Sequence, residues 1–142
     1  MPNIRWLLAL ITSVHRWIYL KSGGRIGHKL LDKPMLLLET VGRKSGQPRI
    51  TPLLYAEDGE AFVVVASNMG DARFPAWWHN LQARPEAVAR VGPRRVPVRW
   101  RRADAAEEAR LWPRLESFYP AYIEYRARAG REIPIVILDP PA

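Results

Sequence analysis

The eight residues Gly42-Arg43-Lys44-Ser45-Gly46-Gln47-Pro48-Arg49 carry three fixed positive charges and two glycines. Guanidinium and ammonium groups make charge-assisted hydrogen bonds to phosphate or carboxylate, and glycine lets a backbone approach such a ligand closely. The glycine spacing is not that of a Walker loop, and a strand follows it instead of a helix. A basic hairpin by itself is usually a solvated turn. Its sequel changes the balance: Thr51-Pro52-Leu53 sets a proline inside the next apolar run, where it forfeits a ladder hydrogen bond. That suits a strand end facing a ligand. Farther on, Ser67 and Asn68 offer a hydroxyl and an amide, and Trp77-Trp78-His79-Asn80 follows one short helix away. Small polar donors beside a large ring suit a planar heterocycle with several carbonyl and ring N–H groups. The plain alternative makes the two Trp core anchors and Asn80 a satisfied cap; we expect one Trp in the core and the other against the ligand. Tyr119, Tyr122 and Tyr125 recur every three residues. Phenols there can stack on an aromatic substrate and donate a proton, or can pack as an amphipathic face.

Other chemistries are excluded by what is missing. The chain has no cysteine, so disulfides, thiolate metal sites and cysteine nucleophiles fall together. His15, His28 and His79 lack metal-ligand spacing, and no Ser/His/Asp set or paired carboxylate stands out. No metal is expected. The net charge of +8 favours an anionic partner or surface. Six arginines between Arg90 and Arg102, with no acid from Ala87 through Ala103, raise the thought of nucleic acid or lipid headgroups. Yet Arg95, Arg99 and Arg101 alternate with Val96, Val98 and Trp100, the pattern of a half-exposed strand with a solvated face. No nucleic-acid partner is expected.

The positioning elements follow from hydrophobic period. Residues 142 in number make one domain. Apolar runs at 35–41, 50–56, 61–66, 87–91, 96–101 and 133–138 read as strands, and Glu57-Asp58-Gly59 reads as a hairpin turn. Pro75 opens a helix, Asp104 with Glu107 forms a capping box for a helix to Phe118, and Pro120 starts a second short one. About six antiparallel strands with late helices predict an α+β barrel. Ahead of this domain, 23–142, lies a segment 1–22 in which Ile4, Leu7, Ile11, Val14 and Ile18 share one helical face flanked by Trp6 and Trp17. The run is too short to cross a bilayer, and His15-Arg16 stands where a signal peptide needs small residues. Two uses stay open: docking on protein, or residues 4–20 lying on an anionic membrane surface.

Taken in order, Leu36-Leu37-Leu38, Gly42-Arg43-Lys44-Ser45-Gly46, Pro52-Leu53, Ala66-Ser67-Asn68, Pro75-Ala76-Trp77-Trp78-His79-Asn80-Leu81 and Tyr119-Pro120-Ala121-Tyr122 resemble the deazaflavin-dependent nitroreductase and quinone reductase family of actinobacteria, from about Gly23 to Pro140. The resemblance implies a split β-barrel of the FMN-binding type. It implies coenzyme F420, an 8-hydroxy-5-deazaflavin with a phospholactyl-oligoglutamate tail, ahead of FMN as cofactor. It implies hydride transfer to a menaquinone-like quinone or a nitroaromatic acceptor, in the cytoplasm and peripherally on the inner face of the membrane. Arg43, Lys44 and Arg49 match positions that hold the anionic tail; Thr51, Pro52, Leu53, Ala66, Ser67, Asn68, Trp77 and Asn80 match the deazaflavin pocket. Tyr119, Tyr122 and Tyr125, with Ser67, match the substrate side, Tyr122 being the candidate for proton donation or substrate orientation. Asn68 stands where the nitroreductase-active type carries lysine, and Met69 where it carries glycine. The alternative reading is a non-catalytic barrel of the same kind that holds a flavin, haem or lipid.

Overall fold

A strand that is buried on both faces must find two cores, and Ala61–Val65 and Ile135–Asp139 do so here. The computed structural model describes residues 29–30 and 33–141; the expected N-terminal helix lies outside them. The described chain forms β1 (Lys29–Leu30), β2 (Lys33–Val41), β3 (Pro48–Leu54), β4 (Ala56–Asp58), β5 (Ala61–Val65), α1 (Ala76–Ala83), β6 (Glu86–Val91), β7 (Arg94–Arg102), α2 (Ala105–Phe118), α3 (Ala121–Arg128) and β8 (Ile135–Asp139). All pairings are antiparallel, in the order β1-β2-β6-β7-β8-β5-β4, with β3 also on β2.

The expected strand 50–56 is in fact two. β3 pairs β2 and β4 pairs β5, so the two ends of the sheet are consecutive in the chain and meet through Tyr55 alone. Tyr55 is buried against Phe62 at 5.6 Å, edge to face, and its N–H donates to Pro34 O at 3.2 Å. The chain itself closes the barrel there, which is why a short-range reading sees one continuous run.

Alternation along the strands sorts side chains between two cores. Leu36, Leu38, Phe62, Val64, Val136 and Leu138 fill the barrel, closed at one end by Trp77, Trp78 and Leu81 of α1. Ala61, Val63, Val65, Ile135 and Ile137 face outward onto Leu111, Trp112 and Leu115 of α2 and Tyr122 and Tyr125 of α3. The capping box forms as its spacing predicts: Asp104 Oδ1 accepts from Glu107 N at 2.8 Å, and Glu107 Oε1 accepts from Asp104 N at 3.1 Å.

After β5 the chain enters a tight turn at 68–70 in which Asn68 and Met69 hold φ of 46° and 54°. Left-handed backbone costs an ordinary residue about 1–2 kcal/mol, so packing must hold the turn, and α3 lies against it. Gly70, at φ +80°, sits so close that an added Cβ would meet Tyr125 Cα at 3.1 Å and the Arg128 guanidinium at 3.0 Å. Gly70→Ala should therefore lower unfolding stability by about 1–3 kcal/mol in urea titrations; no loss would mean that α3 does not press on the turn.

Candidate functional site

The register of β2 and β3 builds one wall. Directly opposed residues share a face, so Arg49, Thr51 and Leu53 lie on the same face as Thr40, Leu38 and Leu36, while Pro52 lies with Leu37 on the other. Leu53 packs on the barrel core. Among the described residues β3 has a ladder partner on one side only, which accommodates Pro52.

The hairpin between these strands is held from within and from α1. Gly46 N donates to Gly42 O at 2.9 Å, Gln47 N to Ser45 Oγ at 3.1 Å and the Arg49 guanidinium to Ser45 Oγ at 3.3 Å. Gly42 is buried under this fold, where a Cβ would meet Ser45 Oγ at 2.6 Å. Asn80 ties the hairpin to α1: its Oδ1 accepts from Arg43 N at 3.0 Å and its Nδ2 donates to Thr40 Oγ1 at 3.1 Å. Both Asn80 and Thr40 are buried. Asn80, expected as a ligand contact, thus spends an amide oxygen and an N–H on setting the loop. Trp77 and Trp78 are both core residues, 4% and 6% exposed, which corrects the expectation that one would stand free beside a ligand; packing of α1 across the barrel end requires both rings.

Charge pairing separates this hairpin from most of β7. Along β7, Arg95 bonds Glu39, Arg99 bonds Glu86, Arg101 bonds Glu107 and Asp139, and Arg102 bonds Glu132. The acids come from β2, β6, α2, the segment before β8 and β8 itself, which is why the local sequence showed none. The expected solvated face is exposed, but it is ion-paired. Arg43, Lys44 and Arg49 have no carboxylate partner among the described residues. His79, beside them on α1, has its pKa held below the ordinary 6.5 by burial and then by the Arg43 charge.

The strand-end residues form a second group. Ala66 is buried in the barrel core, Ser67 is 9% exposed, and Asn68 and Met69 are exposed. Arg131, which no sequence signal marked, grips this turn: its guanidinium donates to the carbonyls of Ala66, Ser67, Asp71 and Arg73, each at 3.2 Å, and to Glu132 O at 2.9 Å. It lies 4.2 Å over the Phe74 ring. Burial lowers its pKa from the ordinary arginine value, yet guanidinium remains charged in proteins.

Behind the turn stand the three tyrosines. Their rings meet edge to face, with centroids 5.0 Å apart for Tyr119–Tyr122 and 6.2 Å for the other two pairs. Tyr119 Oη and Tyr125 Oη are 3.4 Å apart. Burial, then the Tyr119 hydrogen bond, pushes Tyr125 up to about 12; burial and the neighbouring phenols push Tyr122 higher still. Tyr122 is 5% exposed, and its hydroxyl has no hydrogen-bond partner among the described residues. A cavity of about 400 Å³ has Arg131 in its lining beside Trp112 and Glu132, and one of about 510 Å³ against Val98 and Trp100 is lined by none of the candidate residues.

Residues 11–140 match the family model described as F420H(2)-dependent quinone reductase. The chain belongs to that family. The F420H(2)-dependent quinone reductase of Mycobacterium tuberculosis is 43% identical over 146 residues, 97% of this chain and 98% of the relative. A structure described as a domain-swapped dimer matches with a TM-score of 0.71 at 30% identity, over 96% of this chain and 98% of the other. The F420-H2 dependent reductase FDR-A matches with a TM-score of 0.68 at 33% identity, over 78% and 98%. The fold is the split β-barrel that the sequence implied.

His79 gives a handle on the hairpin's field. Because the folded state resists its protonation, the unfolded chain takes the proton first, and folding stability declines through this group as pH falls below the ordinary histidine value of 6.5 toward the lower folded one. His79→Gln should flatten that decline. In an NMR titration the His79 pKa should also rise when a polyanion neutralises Arg43; an unmoved value would detach His79 from the anion site.

Proposed function

We propose that this chain is an oxidoreductase that passes a hydride from reduced F420 to a quinone. The observation that carries the reading is the cluster of three cations, Arg43, Lys44 and Arg49, that have no carboxylate partner among the described residues, whereas Arg90, Arg95, Arg99, Arg101 and Arg102 of the strands face carboxylates. A cofactor with a phosphate and several glutamates fits such a donor set; an uncharged ligand would leave three charges with nothing to hold. When bound, reduced F420 supplies the hydride. The chain supplies the rest. Arg43, Lys44 and Arg49 hold the tail, Thr51, Leu53, Ala66, Ser67 and Asn68 line the ring site, and Asn80 keeps the hairpin in place. Fixing both partners removes the entropy of a bimolecular encounter.

A quinone that accepts a hydride needs one proton on oxygen to become a hydroquinone. Tyr122 suits that task. Among the described residues its hydroxyl has no hydrogen-bond partner that a substrate would have to displace. Among the described residues no helix is long and apolar enough to cross a membrane; peripheral contact with anionic lipid, which a lipid-soluble quinone would favour, falls to residues 4–20.

Adding the purified chain to oxidised F420 should quench the cofactor's fluorescence at micromolar concentrations, with FMN as a weaker competitor, and menadione should oxidise F420H2 in its presence. No quenching would leave the non-catalytic barrel as the better reading. Lys44→Ala should raise the F420 dissociation constant about tenfold, near 1.4 kcal/mol, with the wild-type affinity falling as salt rises. Tyr122→Phe removes a buried, unpartnered hydroxyl and should leave unfolding stability unchanged or higher. Turnover should fall about 10²-fold while F420 binding stays the same; equal turnover would remove Tyr122 from the chemistry.

A further inference from the structure

Arg131 does something for the strand-end turn that ordinary packing cannot. The turn is unfavourable as it stands: two successive non-glycine residues, Asn68 and Met69, have positive φ, and its own bonds are short-range ones, Gly70 N to Ser67 O at 2.8 Å, Asp71 N to Asn68 O at 3.0 Å, Asn68 Nδ2 to Arg73 O at 3.0 Å and Arg73 N to Asp71 Oδ1 at 2.7 Å. Arg131 spans the whole segment from 66 to 73. Its Nη2 takes carbonyls from both ends, Ala66 and Ser67 at the start and Arg73 at the finish, and its Nε takes Asp71. Arg128 adds Met69 O at the crest of the turn. The Phe74 ring beneath the guanidinium fixes the plane of the fork.

Only a planar group with several divergent N–H donors can serve all these carbonyls; an ammonium has three donors around one point. There is also a directional consequence. In a trans peptide the C=O and N–H point opposite ways, and no described peptide is cis. Drawing the Ala66 and Ser67 carbonyls onto one nitrogen therefore turns the N–H groups of Ser67 and Asn68 away from Arg131. Neither N–H has an acceptor among the described residues.

We propose that Arg131 is a positioning residue for the reaction: by clamping the peptides at 66–68 it presents the Ser67 and Asn68 N–H groups, with the Ser67 hydroxyl, to the carbonyl edge of the bound ring. This rests on the reading of Ser67 and Asn68 as part of the ring site. It assigns Arg131 no contact with cofactor or substrate. Its effect should be local to the turn, which separates it from a general stabilising role.

Arg131→Lys keeps the charge and loses the fork. The expected result is F420 binding about tenfold weaker and kcat/KM for menadione lower by at least as much. The Gly70 and Asp71 amides, bonded to Ser67 O and Asn68 O, should exchange with deuterium about tenfold faster, with the amides of β5 and β8 as protected as in wild type. Phe74→Leu, which leaves every Arg131 carbonyl contact and removes the ring, should move binding and exchange in the same direction by a smaller factor, and it serves if the lysine variant does not fold. Wild-type affinity and wild-type exchange at Gly70 and Asp71 in these variants would overturn the proposal. So would loss of protection spread evenly through β5 and β8, which would mark Arg131 as a plain structural residue. If wild type itself does not bind F420, the proposed function fails and the role of Arg131 with it; if wild type binds and the variants bind equally well, only the role of Arg131 fails.

Discussion

Twenty-two Lys and Arg share this chain with fourteen Asp and Glu, so positive charge that is to serve a ligand must first be kept from the protein's own acids. The fold does this by register. β7 runs beside β6 and β8, and four of its arginines meet acids: Arg99 stands opposite Glu86, Arg101 is diagonal to Asp139, and Arg95 and Arg102 reach Glu39 and Glu132. The β2–β3 hairpin lies beyond the last ladder pair, Val41 and Pro48, and the acid of that ladder, Glu39 opposite Ile50, is taken by Arg90 and Arg95. Three cations within one turn repel one another, and that repulsion has to be met by the loop's internal bonds and by Asn80. A loop that is braced and still lacks counter-charges is poised for an anion.

The brace reaches back into the core. Asn80 is positioned because Trp77, Trp78 and Leu81 of the same short helix close the barrel, so the cationic hairpin is tied to the hydrophobic packing beneath it. The strand-end turn is anchored by the same logic from the other core: α3 packs through Tyr122 and Tyr125 on the outer faces of β5 and β8, and the chain just past α3 delivers Arg131 to the turn. Each core thus positions one half of the site, and β5, buried on both faces, connects them.

How much of this was legible depends on the range of the interaction. The capping box at Asp104 and Glu107, the six main apolar runs, and the buried face shared by Tyr122 and Tyr125 are local patterns, and the structure follows them. The break at Tyr55 was not legible, because a strand that changes partners keeps the same alternation on either side of the change. The acids of the arginine strand were invisible for a similar reason: Glu39 lies 56 residues from Arg95, and no window holds both. The Trp77-Trp78 pair looked like a chance to divide labour, but a helix that plugs a barrel needs both rings. Arg131 carried no signal at all, since its partners are carbonyls, which every sequence has.

Buried polar groups complete the division. Asn80 and Thr40 satisfy each other and the Arg43 N–H, and a polar cluster closed in this way adds rigidity and nothing more. Tyr122 is different. A phenylalanine would fill the same space among Tyr119, Tyr125 and the outer face of β5 without leaving a hydroxyl unpartnered, a defect that costs about 1–3 kcal/mol. Packing therefore explains the ring and leaves the oxygen unexplained. That oxygen stands among the Tyr119 and Tyr125 rings without a hydrogen-bond partner among the described residues, and it is the part of Tyr122 that packing does not account for.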